Sequence, residues 1–254
     1  MGISIYNAEQ IKKIEKACLI TANILDELEA KIVEGISTYD IDALARDLVE
    51  KNRVVPLFLG YGGFPAVVCT SINHEVIHGI PDKKRLIESG DVVGIDFGVS
   101  CDGWCGDSAR TIPVGKVSDD VKLLLGVTKA SLYEGIKQAT TSNRISDISF
   151  AIESYVKRFG FSPVREFSGH GIGANLHEEP SIPNYGKSGK GPRIKNGMVF
   201  AIEPMINIGH HDIEILEDDW TVVTKDLSAS AHFEHTVAIV NDKARILTRG
   251  ADFN

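Results

Sequence analysis

The chain is written twice. "DIDALARDLVEK" (Asp40–Lys51) and "DISFAIESYVKR" (Asp147–Arg158) share an opening Asp-Ile, a similar apolar rhythm and a basic end, 107 positions apart. "IESGDVVGID" (Ile87–Asp96) and "IKNGMVFAIE" (Ile194–Glu203) match at Ile, Gly, Val and Ile with the same offset of 107. "IHGIP" (Ile77–Pro81) and "LHEEP" (Leu176–Pro180) align at an offset of 99, a difference that a loop absorbs. Three blocks in one order make Asp96 the counterpart of Glu203, and His78 that of His177. Such a duplication predicts two equivalent halves, about 1–116 and 117–254, with a cleft at their seam.

Each half reads as two helices followed by strands. Asn7 with Gln10 predicts an N-cap and capping box, and Ile11, Ile14, Cys18, Leu25, Leu28 and Ile32 set a helical stripe that ends before Gly35. Further helices are expected over about 40–52, from the Ser118 cap to about Gln138, and over about 146–159, ended by Gly160. The expected class is α+β, with antiparallel sheet and an approximate two-fold axis. No Pro/Ser-rich linker divides the halves, so one domain over 1–254 is expected.

Composition narrows the partners. A formal net charge of −8 argues against a nucleic-acid-coating surface. No apolar run reaches membrane-spanning length, and "MGISIYNAEQIKK" carries neither a signal peptide nor, with Tyr6 in place of Ser or Thr, a myristoylation pattern. The expectation is cytoplasm. Cys18, Cys69, Cys101 and Cys105 fit that compartment as reduced thiols, and their spacing is not that of a zinc site.

"GIDFGVSCDGWCGDSARTIPVG" (Gly94–Gly115) predicts a hairpin with Ile95, Phe97 and Val99 on one face and Asp96 on the other. With Cys101-Asp102 as its two-residue loop, Asp96 stands directly opposite Asp107, a like-charge pair that destabilises a sheet. Three readings remain open: a solvated edge, a shared proton, or a bound cation. Further acids and histidines lie in apolar or glycine-rich settings: His170 in "SGHGIG", His177 in "LHEEP", Glu203 in "MVFAIEP" and Glu234 in "HFEHT". Asp96, Asp107, His170, Glu203 and Glu234 together offer one imidazole and four carboxylates, a set suited to two borderline-hard divalent ions. Glu178 and Glu179 are expected at the surface, and "HHDIE" (His210–Glu214) in a loop or at a strand edge.

The motifs "SINHEVIHGIP", "GDVVGIDFGV" with "GWCGDSARTI", "SGHGIG" followed by "LHEEP", "GMVFAIEP" and "HFEHT" resemble the type I methionine aminopeptidases from end to end. The resemblance implies the duplicated pita-bread fold. It also implies a metal pair (cobalt, manganese, iron(II) or zinc): Asp96, Asp107 and Glu234 on one ion, and Asp107, His170, Glu203 and Glu234 on the other. Asp107 and Glu234 would bridge. "LFLGYGGFPAVVCTSIN" resembles the family's methionine-pocket segment, giving Phe58, Tyr61, Phe64 and Cys69 as walls, joined by Leu176 and Trp220. Gly62 departs from the pattern, since many members carry His there. The backbone carbonyls of Asn73, Glu75 and Ser230 match a structural sodium or potassium site.

The reaction so implied is removal of the N-terminal methionine from nascent polypeptides with a small second residue, by a hydroxide bridging the metals. Glu203 would accept the proton, His177 would stabilise the oxyanion, and His78 would position the peptide nitrogen. A monomer that meets the ribosome only transiently is expected. No additional N-terminal domain of the prolidase kind, helical insertion of the type II kind or Cys/His-rich extension is expected. The alternatives are a binding protein on a decayed site and another di-metal hydrolase, such as a dipeptidase or an X-Pro aminopeptidase.

Overall fold

The structure, a computed structural model, describes residues 2–249; Met1 and residues 250–254 of the expected domain lie outside them. Four α-helices are described: α1 (Ala8–Glu29), α2 (Thr38–Asn52), α3 (Asp119–Gln138) and α4 (Ile145–Val156). Asn7 and Gln10 form the expected capping box on α1, because each side chain takes the other residue's backbone N–H. Ser37 and Asp40 do the same for α2, which starts at Thr38 rather than at Asp40. Ile32 falls beyond the end of α1, yet is buried with its stripe. α4 tightens into a 3-10 turn, Lys157–Phe159, and stops at Gly160, whose φ of 79° suits glycine.

The strands of the first half are β1 (Val55–Pro56), β2 (Cys69–Ile72), β3 (Glu75–Ile77), β4 (Val92–Cys101) and β5 (Trp104–Pro113). Those of the second are β6 (Ser162–Pro163), β7 (Ser168–Gly171), β8 (Glu178–Pro183), β9 (Val199–Ile202), β10 (Met205–Asn207), β11 (Ile213–Ile215), β12 (Val222–Thr224), β13 (Ser230–His232), β14 (His235–Val240) and β15 (Lys243–Ile246). β4 pairs with β1, β2 and β5, while β9 lies between β14 and β7 in the order β15-β14-β9-β7-β8. Every pairing is antiparallel. β12 of the second half pairs with β3 of the first.

The duplication is visible in the packing. Ile95, Phe97 and Val99 bury one face of β4 against α1 and α2, and Phe200, Ile202, Val237 and Ile239 do the same against α3 and α4. A third cluster joins Ile14 and Cys18 of α1 to Val199, Ala201 and Ala238 across the seam. The helices therefore cover the outer side of each sheet, while at the seam α1 also packs on the inner face of β9 and β14.

The hairpin register differs from expectation. Its turn is Asp102-Gly103, with φ of 52° and 78°, the positive pair that a type I′ loop needs and that Asp-Gly adopts more readily than Cys-Asp. The shift pairs Asp96 with Ala109 and Asp107 with Gly98, so the carboxylates are diagonal neighbours rather than directly opposed. A two-residue shift preserves the face, and both still point inward.

Candidate metal centre and its cavity

The two halves deliver their ligands to one point because hydroxyl groups stitch the seam. Ser108 Oγ donates to the Glu234 carbonyl at 2.7 Å, and Glu234 N–H donates to the Ala109 carbonyl at 2.8 Å. Thr236 Oγ1 donates to the Asp107 carbonyl at 2.7 Å, while Thr111 Oγ1 donates to the His232 carbonyl at 2.9 Å and accepts from His232 N–H. These bonds fix β5, with Asp107, against the segment carrying Glu234. From the other side, β7 sets His170 beside Ala201 of β9, and Glu203 follows the end of β9.

The resulting charge is untenable on its own. Asp107 and Glu234 are almost completely buried, and Asp96 Oδ1, Asp107 Oδ1 and Glu234 Oε1 have no hydrogen-bond partner. Burial, reinforced by the neighbouring carboxylates, pushes Asp96, Glu203 and Glu234 well above the usual carboxylate range, and burial pushes Asp107 up to about 7. A cation removes both penalties at once. Ligand atoms of Asp107, His170 and Glu234 already lie within 4.8 Å of one another. His170 is prepared to join them: Nδ1 is 2.9 Å from the Gly171 carbonyl, which can only accept, so Nδ1 holds the proton and Nε2 keeps its lone pair. That Nε2 lies 3.4 Å from Glu203 Oε1, and burial holds the imidazole's pKa down at about 4. The residues fit divalent metal.

Beside the carboxylates opens a cavity of about 360 Å³, lined by Phe58, Tyr61, Phe64, Cys69, His78, Leu176, His177 and Trp220. Phe64 meets Trp220 edge to face at 5.1 Å, giving the pocket an apolar wall. Burial lowers the pKa of His78 to about 4 and also lowers that of His177, so both rings are neutral near pH 7. Tyr61 Oη is 2.6 Å from His177 Nδ1.

Comparison with known proteins agrees with this geometry. Residues 12–241 match Metallopeptidase family M24. The chain belongs to metallopeptidase family M24. Within M24 it groups with the methionine aminopeptidases: it is 52% identical to the methionine aminopeptidase of Borreliella burgdorferi, over 94% of this chain and 96% of that one. It is 49% identical to methionine aminopeptidase 1 of Bacillus subtilis, over 93% and 95%. The crystal structure of the Thermotoga maritima methionine aminopeptidase superposes with a TM-score of 0.96 at 41% identity, covering 98% of this chain and all of that one. The fold is the pita-bread fold of M24.

Against that M24 frame, the sequence missed several residues. Ile77, Phe167 and Ser168 also line the cavity. His232 is buried, its Nε2 unpartnered and 3.6 Å from Glu203 Oε2. Two-residue alternation from Glu234 was the available signal for it. Glu178 is a correction: it is half-buried rather than a free surface acid, because Tyr6 Oη donates to its carboxylate at 2.7 Å; Glu179 is exposed as expected. A Cβ at Gly62 would lie 3.2 Å from the Trp220 ring, so the departure at this position bears on the pocket wall. Asn73 and Ser230 meet across the seam, where Ser230 N–H donates to the Asn73 carbonyl at 2.9 Å.

Proposed function

We propose that this chain removes the N-terminal methionine from newly made polypeptides, preferring a small second residue. In this reading Asp96, Asp107, His170, Glu203 and Glu234 would hold two divalent ions, of cobalt, manganese, iron(II) or zinc, with Asp107 and Glu234 serving both. The observation that carries it is the set of buried, unpartnered carboxylate oxygens opening onto an apolar cavity. Bound there, the ions would supply Lewis-acid activation of water and of the scissile carbonyl.

The chain's own residues supply the rest. The pocket between Phe64, Cys69 and Trp220 receives an unbranched apolar side chain and excludes water. Glu203 takes the proton of the attacking water on Oε2 and returns it to the leaving amine. Tyr61 donates to His177 Nδ1, which leaves the proton on Nε2, the atom that donates to the developing oxyanion. His78 orients the peptide nitrogen. The enzyme acts as a single-domain monomer in the cytoplasm, meeting the ribosome transiently and using no nucleic acid or membrane. A sodium or potassium ion on the carbonyls of Asn73, Glu75 and Ser230 braces the seam. No helix among the described residues is long and apolar enough to cross a membrane.

The test is hydrolysis of Met-Gly-, Met-Leu- and Ala-Pro-led peptides by metal-loaded protein. Cleavage of the first far above the other two is expected. Preferential cleavage of the Ala-Pro peptide would replace this reading with an X-Pro aminopeptidase.

A further inference from the structure

One cluster lies outside this centre. Residues 208–212 connect β10 to β11 and carry His210, His211 and Asp212. The connection is held from several sides. Asn207 Nδ2 donates to the His210 carbonyl at 2.9 Å, His210 N–H to Asp226 Oδ2 at 2.8 Å, Gly209 N–H to Ser228 Oγ at 3.1 Å, and Lys225 N–H to the Asp212 carbonyl at 3.0 Å. The two imidazoles lie with centroids 4.2 Å apart and planes tilted by 34°, and both turn Nδ1 to the same carboxylate. His210 Nδ1 is 3.1 Å from Asp212 Oδ2, and His211 Nδ1 is 3.2 Å from Oδ1.

The second of these contacts is informative. His211 Nδ1 is buried, and despite its short distance to Oδ1 it makes no hydrogen bond. Two ligands of one ion point at the ion, not at each other. For metal–ligand bonds of about 2.1 Å in tetrahedral geometry, neighbouring donors sit roughly 3.4 Å apart. Both His–Asp distances are close to that spacing, all three residues bring a ligand atom within 4.8 Å of the others, and the backbone is already fixed, so little ordering entropy opposes binding.

We propose that His210, His211 and Asp212 form a surface site for a borderline divalent transition ion, such as zinc, nickel or copper(II), separate from the catalytic centre and completed by water. Two imidazole nitrogens and one carboxylate select these ions over magnesium and calcium. The ion would brace the root of the β11–β12 hairpin, whose connection carries Trp220 and whose second strand pairs with β3, just before His78. The site does not depend on the peptidase reading.

The test compares wild-type protein with the His210→Ala/His211→Ala variant, each titrated with zinc by calorimetry and with copper(II) by electron paramagnetic resonance. The wild type is expected to bind one zinc ion more than the variant, to give a copper spectrum with imidazole nitrogen couplings that the variant lacks, and to hydrolyse peptide at the variant's rate. Asp107→Asn protein should keep the extra ion. Equal zinc content in wild type and double variant, or an extra site weaker than about 0.1 mM, would overturn the proposal.

Discussion

Gly98 stands directly opposite Asp107 across β4 and β5, and a Cβ at position 98 would lie 2.9 Å from Asp107 Oδ1. The carboxylate occupies the room that the glycine leaves. Gly98→Ala is therefore expected to turn Asp107 away from the other ligands without unfolding the sheet. Calorimetric metal titration should show affinity lowered about 10-fold or more, in the range seen when ligand orientation is disturbed. Unchanged affinity would mean that the carboxylate does not need this space.

Asp107→Asn removes a buried charge that a cation or a proton must offset. The variant is expected to stay folded, to lose the metal of the buried centre and activity together, and in metal-free form to be no less stable than metal-free wild type near pH 7, because it no longer buries that charge. Full metal content in this variant would rule out a bridging role.

Metal-free protein should also weaken as pH rises. Burial lifts Asp107 from 3.8 to about 7 in the folded state, and raises Asp96, Glu203 and Glu234 in the same direction. The folded form thus holds protons that the unfolded form has released. Their contribution is complete below about pH 4 and is lost as pH passes 7 for Asp107. Thermal melts of chelator-treated protein should show Tm falling across this window, and divalent metal should restore it at the upper end, where protons no longer compete for the ligands.

Much of this was legible because each feature was local or repeated. The Asn7 and Ser118 caps, the face shared by Ile95, Phe97 and Val99, and the pairing of Asp96 with Glu203 follow from short-range spacing or from the duplication. The hairpin register was missed because Asp102-Gly103 competes with Cys101-Asp102 for the turn, and backbone preference for positive φ decides between them. Glu178 was misplaced because its partner, Tyr6, is 172 residues away. The stitching of Ser108, Thr111 and Thr236 across the seam carries no pattern in the chain, since hydroxyl residues at such positions usually face water.

His232 supplies the last prediction. Glu203 has one oxygen 3.4 Å from His170 Nε2 and the other 3.6 Å from His232 Nε2, so the two imidazoles flank its carboxylate at opposite ends. With a metal on the His170 side, a proton donor on the His232 side would keep Oε2 from swinging onto the same ion and hold it free to take a proton. His232→Leu removes that donor while keeping the site filled. It is expected to lower kcat by about 10- to 100-fold and to weaken metal binding, as loss of an outer partner of a ligand does. KM should change little, because the methionine pocket is untouched. His232→Gln restores an N–H and should recover most of kcat. A glutamine variant as impaired as the leucine variant would mean that position 232 acts by packing alone.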